Sequence, residues 1–185
     1  MKKHENLPNV VYANIKKEGK ILLLRRANTG YFDGFWHPPA GHVEAGEALA
    51  DAAAREAFEE SGIIAAPGDL IFLDTLFVID KTTGDPRRKK SLHHFFWAID
   101  FQGSPSLKEP ELSDAMDWFD MDKLPKELVP HFARFLELKP VLRPITAKDI
   151  CRGILRYKKQ LSRPYECLGD AEASSLYEKL IIKAR

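Results

Sequence analysis

Cysteine is nearly absent from this 185-residue chain: there are two, Cys151 and Cys167, too few and too isolated for a disulfide framework or a thiolate metal site. A reducing cytoplasm is the expected compartment. Long hydrophobic runs are also missing. The longest, residues 95–99, falls far short of the ~20 residues needed to cross a bilayer, so no membrane partner is expected. The first ten residues, MKKHENLPNV, are charged and lack an apolar stretch, which predicts no secretory signal. What is present is a globular composition. With 44% hydrophobic and 30% charged residues, the chain can build one domain with a real core and a small appendage.

The formal net charge of +1 conceals two unlike parts. Residues 1–140 hold 18 Lys and Arg against 22 Asp and Glu, and residues 141–185 hold 10 against 5. An acidic body is therefore followed by a basic tail.

Residues 10–15 and 21–26 are β-prone runs separated by Lys-Lys-Glu-Gly-Lys, which predicts a hairpin. Residues 28–34 read as loop. Residues 35–40 carry Pro38-Pro39, so the chain there should be extended but irregular. Residues 47–61 are Ala-rich without Gly or Pro and predict a helix stopped by Gly62. Strands are expected at 70–80, 91–100 and 115–121, and a helix at 126–138 with Pro130 near its first turn. Two further helices are expected at 146–161 and 170–184, capped by Thr146 and Asp170. The order of elements is that of an α+β domain ending near residue 140.

The chemistry concentrates in residues 41–63, GHVEAGEALADAAAREAFEESGI. A helix there places Glu56, Glu59 and Glu60 on one face within about one turn, an unfavourable like-charge arrangement near the negative end of the helix dipole. Clustered hard oxygen ligands suit Mg²⁺ or Mn²⁺, which also take oxygens from a phosphate chain. The competing interpretation is a solvated acidic face. Arg55 is spaced to pair with Asp51 and Glu59. Pro38-Pro39-Ala40-Gly41 could bring a backbone carbonyl to the same cation.

This stretch matches the Nudix box, G-x5-E-x7-R-E-U-x-E-E-x-G-U with U a bulky aliphatic, at Gly41, Glu47, Arg55, Glu56, Glu59, Glu60 and Gly62. Ile63 fits the last U position, whereas Ala57 is smaller than the pattern asks. The chain thus resembles the MutT-like Nudix hydrolases over residues 8–140, and residues 141–185 stand outside the resemblance as a two-helix C-terminal extension. The resemblance implies an α/β/α sandwich around a mixed sheet. It also implies metal-dependent hydrolysis of a nucleoside diphosphate linked to another group. By position, Glu56, Glu59 and Glu60 with the carbonyl of Gly41 would bind the cation, Glu59 or Glu56 would be the base, Arg55 would orient the cluster and Glu47 would support the loop. A later carboxylate, Glu109 with Glu111 second, would join the metal.

Outside the box, Arg25 and Arg26 could contact phosphate or base, and Tyr31, Phe32, Phe35 and Trp36 could stack on a nucleobase or fill the core. His93 and His94 should alternate to opposite faces of a strand, packed or exposed rather than metal-bound. The basic stripe Arg152, Arg156, Lys158, Lys159 and Arg163 suits docking onto the body or onto a second copy in a homodimer, and less readily RNA. The expected substrate is a small nucleotide, foremost a nucleoside triphosphate. The alternatives are ADP-ribose or a nucleotide sugar, an RNA 5′ end, and a non-catalytic nucleotide-binding module. Val78 occupies the place of the proline typical of the ADP-ribose group.

Overall fold

The computed structural model describes residues 7–80 and 90–138. The helices expected at 146–161 and 170–184, with their basic stripe, lie outside the described residues. The expected hairpin forms between β1 (Asn9–Lys17) and β2 (Lys20–Arg26). Its link is the two-residue turn Glu18-Gly19, with φ of 51° and 79°, the conformation that follows the natural twist of paired strands.

Pro38-Pro39 divides the irregular segment into β3 (Trp36–His37) and β4 (Ala40–His42). β3 pairs with β2, and β4 pairs with β1. The prolines, lacking N–H donors, therefore fall where the chain steps from one strand's edge to another's. The remaining strands are β5 (Leu70–Ile79), β6 (Lys90–Ala98) and β7 (Ser113–Asp120). β1 and β6 run parallel, whereas the other pairings between these seven strands are antiparallel, so the sheet is mixed.

One edge of β1 serves two partners. It meets β2 only at Lys16 and Lys17, and β4 at Val10–Tyr12. β1 and β2 thus part soon after their turn, and the chain from Trp36 to His42 fills the wedge between them.

The first helix, α1 (Leu49–Ser61), starts later than the expected residue 47. Gly46 turns with φ 82°, and the Glu47 N–H bonds back to the Glu44 carbonyl at 3.1 Å, which keeps Glu47 in the preceding turn. Ala52, Ala53 and Ala57 are fully buried, and with Val11, Ala13, Ile15, Phe96 and Ala98 they form the core on this face. Gly62, at φ 70°, ends the helix and donates to the Phe58 carbonyl at 2.8 Å.

The second helix, α2 (Pro130–Leu138), starts four residues after the expected 126. Proline suits a first helical turn, and it biases the residue before it away from helix. The chain ahead of it pairs with Trp36 instead: the Trp36 N–H donates to the Glu127 carbonyl at 2.7 Å, and the Val129 N–H to the Trp36 carbonyl at 3.0 Å. Alternation then separates the layers. On β1, Val11, Ala13 and Ile15 face α1, whereas the Tyr12 hydroxyl meets His131 of α2. On β6, Phe96 and Ala98 face α1, whereas Phe95 stacks on Phe135 of α2 with centroids 4.0 Å apart. The expected α/β/α sandwich is present. No helix of the described residues is long and apolar enough to cross a membrane.

Phe135→Ala removes a fully buried ring from this stack and should cost ~3–5 kcal/mol in urea denaturation. A loss below ~1 kcal/mol would contradict the packing described.

Candidate active site

Arg55 projects from α1 into a set of oxygens. Its Nε and one terminal nitrogen donate to the two Glu47 carboxylate oxygens at 2.9 and 3.0 Å. The other terminal nitrogen reaches Glu56 at 2.8 Å and Glu59 at 2.9 Å. The His42 carbonyl accepts a further bond at 3.0 Å. Asp51, the other partner expected from spacing, is not among them. Glu47 is held below the ordinary carboxylate range, chiefly by its hydrogen bond with Arg55.

A cavity of about 470 Å³ opens beside this cluster, lined by residues of β1, β2, β4, α1, β6 and α2. One end is acidic. Glu56, Glu60 and Glu109 line it, with Gly41 and Arg55. A Cβ at Gly41 would sit 2.0 Å from Oε1 of Glu56, so only glycine lets this strand pass so close to the carboxylate. Glu60 accepts the Ala40 N–H at 2.9 Å, and burial pushes its pKa up to about 8. Burial likewise raises Glu56 and Glu109, and neighbouring carboxylates add to both shifts. Glu59 is more open, its side chain 45% exposed against 12% for Glu56.

Arg26 lines the same cavity, but Arg25 does not. Adjacent strand residues face opposite ways. Arg25 turns outward to an ion pair with Asp114 at 2.7 Å and lies over the Trp36 ring. Trp36 also packs edge-on against Phe119, and Phe35 against Phe32, and of the four expected stacking residues Phe32, Phe35 and Trp36 are not in the cavity lining. Tyr31 does line it, with its hydroxyl on Asp80 at 2.8 Å.

The same cavity is also lined by residues the sequence did not single out as a site: Tyr12, His37, His93 and His131. Burial keeps all three imidazoles neutral, holding His37 and His93 near a pKa of about 3 and His131 near about 4. His93 and His94 do alternate, His94 turning instead to Thr75 and Asn9. Strand alternation alone could have placed Tyr12 and His93 on one face only if the pairing of β1 with β6 were known.

Among the described residues, no three acidic or imidazole groups already converge at metal-binding distance. Arg55 holds one oxygen each of Glu56 and Glu59. The donor set nevertheless fits a hard divalent cation. It is all oxygen, its carboxyls raise one another's pKa, and the Glu56 carboxylate lies directly against the Gly41 backbone.

The model of the NUDIX domain matches residues 6–139. The chain belongs to the Nudix hydrolase family. It is 42% identical over 171 residues to the protein named Phosphatase NudJ from Escherichia coli K12, spanning 91% of this chain and 92% of that one. A span of that length cannot fit within residues 1–140, so the likeness runs into 141–185. The family model itself ends at residue 139, so part of 141–185 aligns with NudJ while lying beyond the NUDIX domain. Among solved structures, a MutT NUDIX hydrolase from Burkholderia pseudomallei is 30% identical with a TM-score of 0.64, covering 72% of this chain and 98% of its own. A MutT protein from Methanosarcina mazei Go1 is 25% identical with a TM-score of 0.58, covering 73% and 94%. Nudix hydrolases act on small nucleotide substrates and use a divalent metal.

Glu60 sets a pH dependence. Between the ordinary carboxylate pKa and about 8, the folded protein holds a proton that the unfolded chain releases, so metal-free stability falls as pH rises through that window. Glu60→Gln retains an acceptor for Ala40 without the buried charge. At pH 8.5 with EDTA it should melt above the parent by ~3–6 °C, equivalent to ~1–2 kcal/mol. Parallel melting curves from pH 5 to 9 would refute this.

Proposed function

We propose that this enzyme hydrolyses a phosphoanhydride bond of a small nucleotide, most directly a ribo- or deoxyribonucleoside triphosphate to the monophosphate and pyrophosphate, with Mg²⁺ as the metal and Mn²⁺ as its substitute. One observation carries this: three carboxyls of raised pKa share a cavity wall with an arginine whose outer nitrogens are free for an anion. Arg26 donates its Nε to the Tyr31 carbonyl at 2.7 Å, and no other hydrogen bond of its guanidinium is found among the described residues.

Glu56, Glu60 and Glu109 would hold the cation, with Glu59 at the rim and the Gly41 carbonyl as the ligand the resemblance implies. When bound, the ion neutralises phosphate oxygens and acidifies a water. Arg26 binds the phosphate chain and offsets its charge. Glu56 or Glu59 takes the proton of the attacking water, and Glu56 is the one that lines the cavity. Arg55 keeps both in place while Glu47 anchors Arg55. Arg25, Phe35 and Trp36 support the loop from outside the cavity. The low cysteine content supports a cytoplasmic setting.

The likeness to NudJ, a protein named as a phosphatase, favours a second reading, in which the terminal phosphate leaves as orthophosphate. The deciding experiment measures orthophosphate and pyrophosphate separately. Its panel comprises nucleoside tri- and diphosphates, ADP-ribose, dinucleoside polyphosphates and 5′-triphosphate RNA, with Mg²⁺ or EDTA. Glu56→Gln and Glu59→Gln should each lower kcat by about 10²–10⁴-fold on the turned-over substrate. Absence of turnover across the panel, or turnover indifferent to both substitutions, would sink the proposal. Gly41→Ala should push the Glu56 carboxylate aside, weakening Mg²⁺ binding by calorimetry about 10–100-fold.

A further inference from the structure

One residue lining the cavity, His93, carries an unused hydrogen-bonding atom. His93 is buried, and its Nε2 is 2.7 Å from the Ser91 hydroxyl. Its Nδ1 is also buried and has no partner among the described residues. An imidazole nitrogen left without a partner in a closed core costs ~1–3 kcal/mol, and such a group calls for a specific reason.

The surroundings supply one. Tyr12 stacks on His93 with centroids 5.6 Å apart and 20° between planes. His131 meets His93 edge-on at 4.4 Å, and the Tyr12 hydroxyl ties to His131 Nε2 at 2.5 Å. The rings are thereby held rigidly, and all three line the cavity. Flat, uncharged rings offer little to a phosphate but match a planar heterocycle, whose edge presents ring nitrogens and carbonyl or amino groups. Arg26 and the carboxylates, in the same cavity, account for the charged part of a nucleotide.

We propose that His93 is a specificity-determining residue: its Nδ1 hydrogen-bonds the edge of the substrate's base, which rests among Tyr12, His93 and His131. The inference rests on the reading that the acidic end of the cavity takes the phosphate chain. Ser91 selects the polarity. If its hydroxyl donates to Nε2, then Nδ1–H donates to the base; if it accepts, Nδ1 is the acceptor. Either way the site discriminates between bases that offer the complementary atom and those that do not, since a mismatched edge leaves the buried nitrogen unpaired.

The test uses nucleosides, which carry no phosphate, so its result is independent of turnover. Adenosine, guanosine, cytidine and uridine are titrated separately into the full chain, labelled with ¹⁵N on its histidine rings. At least one should shift the His93 Nδ1 resonance by several parts per million on saturation. His93→Phe, which keeps a flat ring, should weaken binding of that nucleoside at least tenfold and of the others no more than twofold. His93→Gln, with an amide donor and acceptor, should recover part of the loss. The proposal is overturned if no nucleoside binds at millimolar concentration, if the Nδ1 resonance is unmoved at saturation, or if His93→Phe weakens all four equally. Should His93→Phe fail to fold, the resonance of the parent protein decides alone. Turnover failing while the resonance shifts would remove the hydrolase reading and leave the base contact standing.

Discussion

Arg55 is the contact on which the rest of the site depends. α1 presents Glu56, Glu59 and Glu60 within about a turn, an arrangement that repels itself and sits badly with the helix dipole. Arg55 offsets that with bonds to Glu56 and Glu59 while gripping Glu47 through two oxygens. The paired side chains of Arg55 and Glu47 are partly buried, 24% and 17% exposed, and the pair is held in a two-bonded geometry that a single-contact surface ion pair lacks. The same guanidinium binds the His42 carbonyl, fastening β4 to the helix. The helix start is Ala48, which offers no side-chain cap, so attachment of the preceding turn falls largely to Arg55 and the Glu47 contact with the Glu44 N–H.

From this anchor the electrostatics of the cavity divide. Burial and mutual repulsion raise Glu56, Glu60 and Glu109, a set whose charge a divalent cation would stabilise. Burial suppresses protonation of His37, His93 and His131, leaving neutral rings in the same lining. Desolvation acts on both sets with opposite consequence, because it opposes whichever form is charged. The acidic excess of residues 1–140 thus has a local component at the carboxylate end, separate from the +5 of the tail.

The carboxylate cluster was legible in the sequence because its members are neighbours on one helix, and spacing alone sets their geometry. So were the Glu18-Gly19 hairpin, the Gly62 helix stop and the strand positions. Sequence and structure part where a local preference meets a tertiary partner. The segment before Pro130 has a helical pattern, yet its backbone groups pair with Trp36. Glu47 has the place of a first-turn residue, yet its carboxylate is drawn to Arg55 and the Glu44 N–H. Arg25 and Arg26 were indistinguishable in sequence, and the pairing of β2 with β3 and β7 decided which of them turned inward.

The sequence by itself determined the family and the acidic half of the site, since a short motif on one turn of helix needs no long-range partner to take its shape. The aromatic half was decided only in three dimensions. Tyr12 and His131 lie 119 residues apart, and His93 joins them only through the parallel register of β1 with β6. Each of these side chains reads in sequence as an ordinary core residue. Their common wall exists because sheet pairing and α2 packing bring three distant elements together, and burial then removes the charge that would otherwise have betrayed the histidines as a cluster.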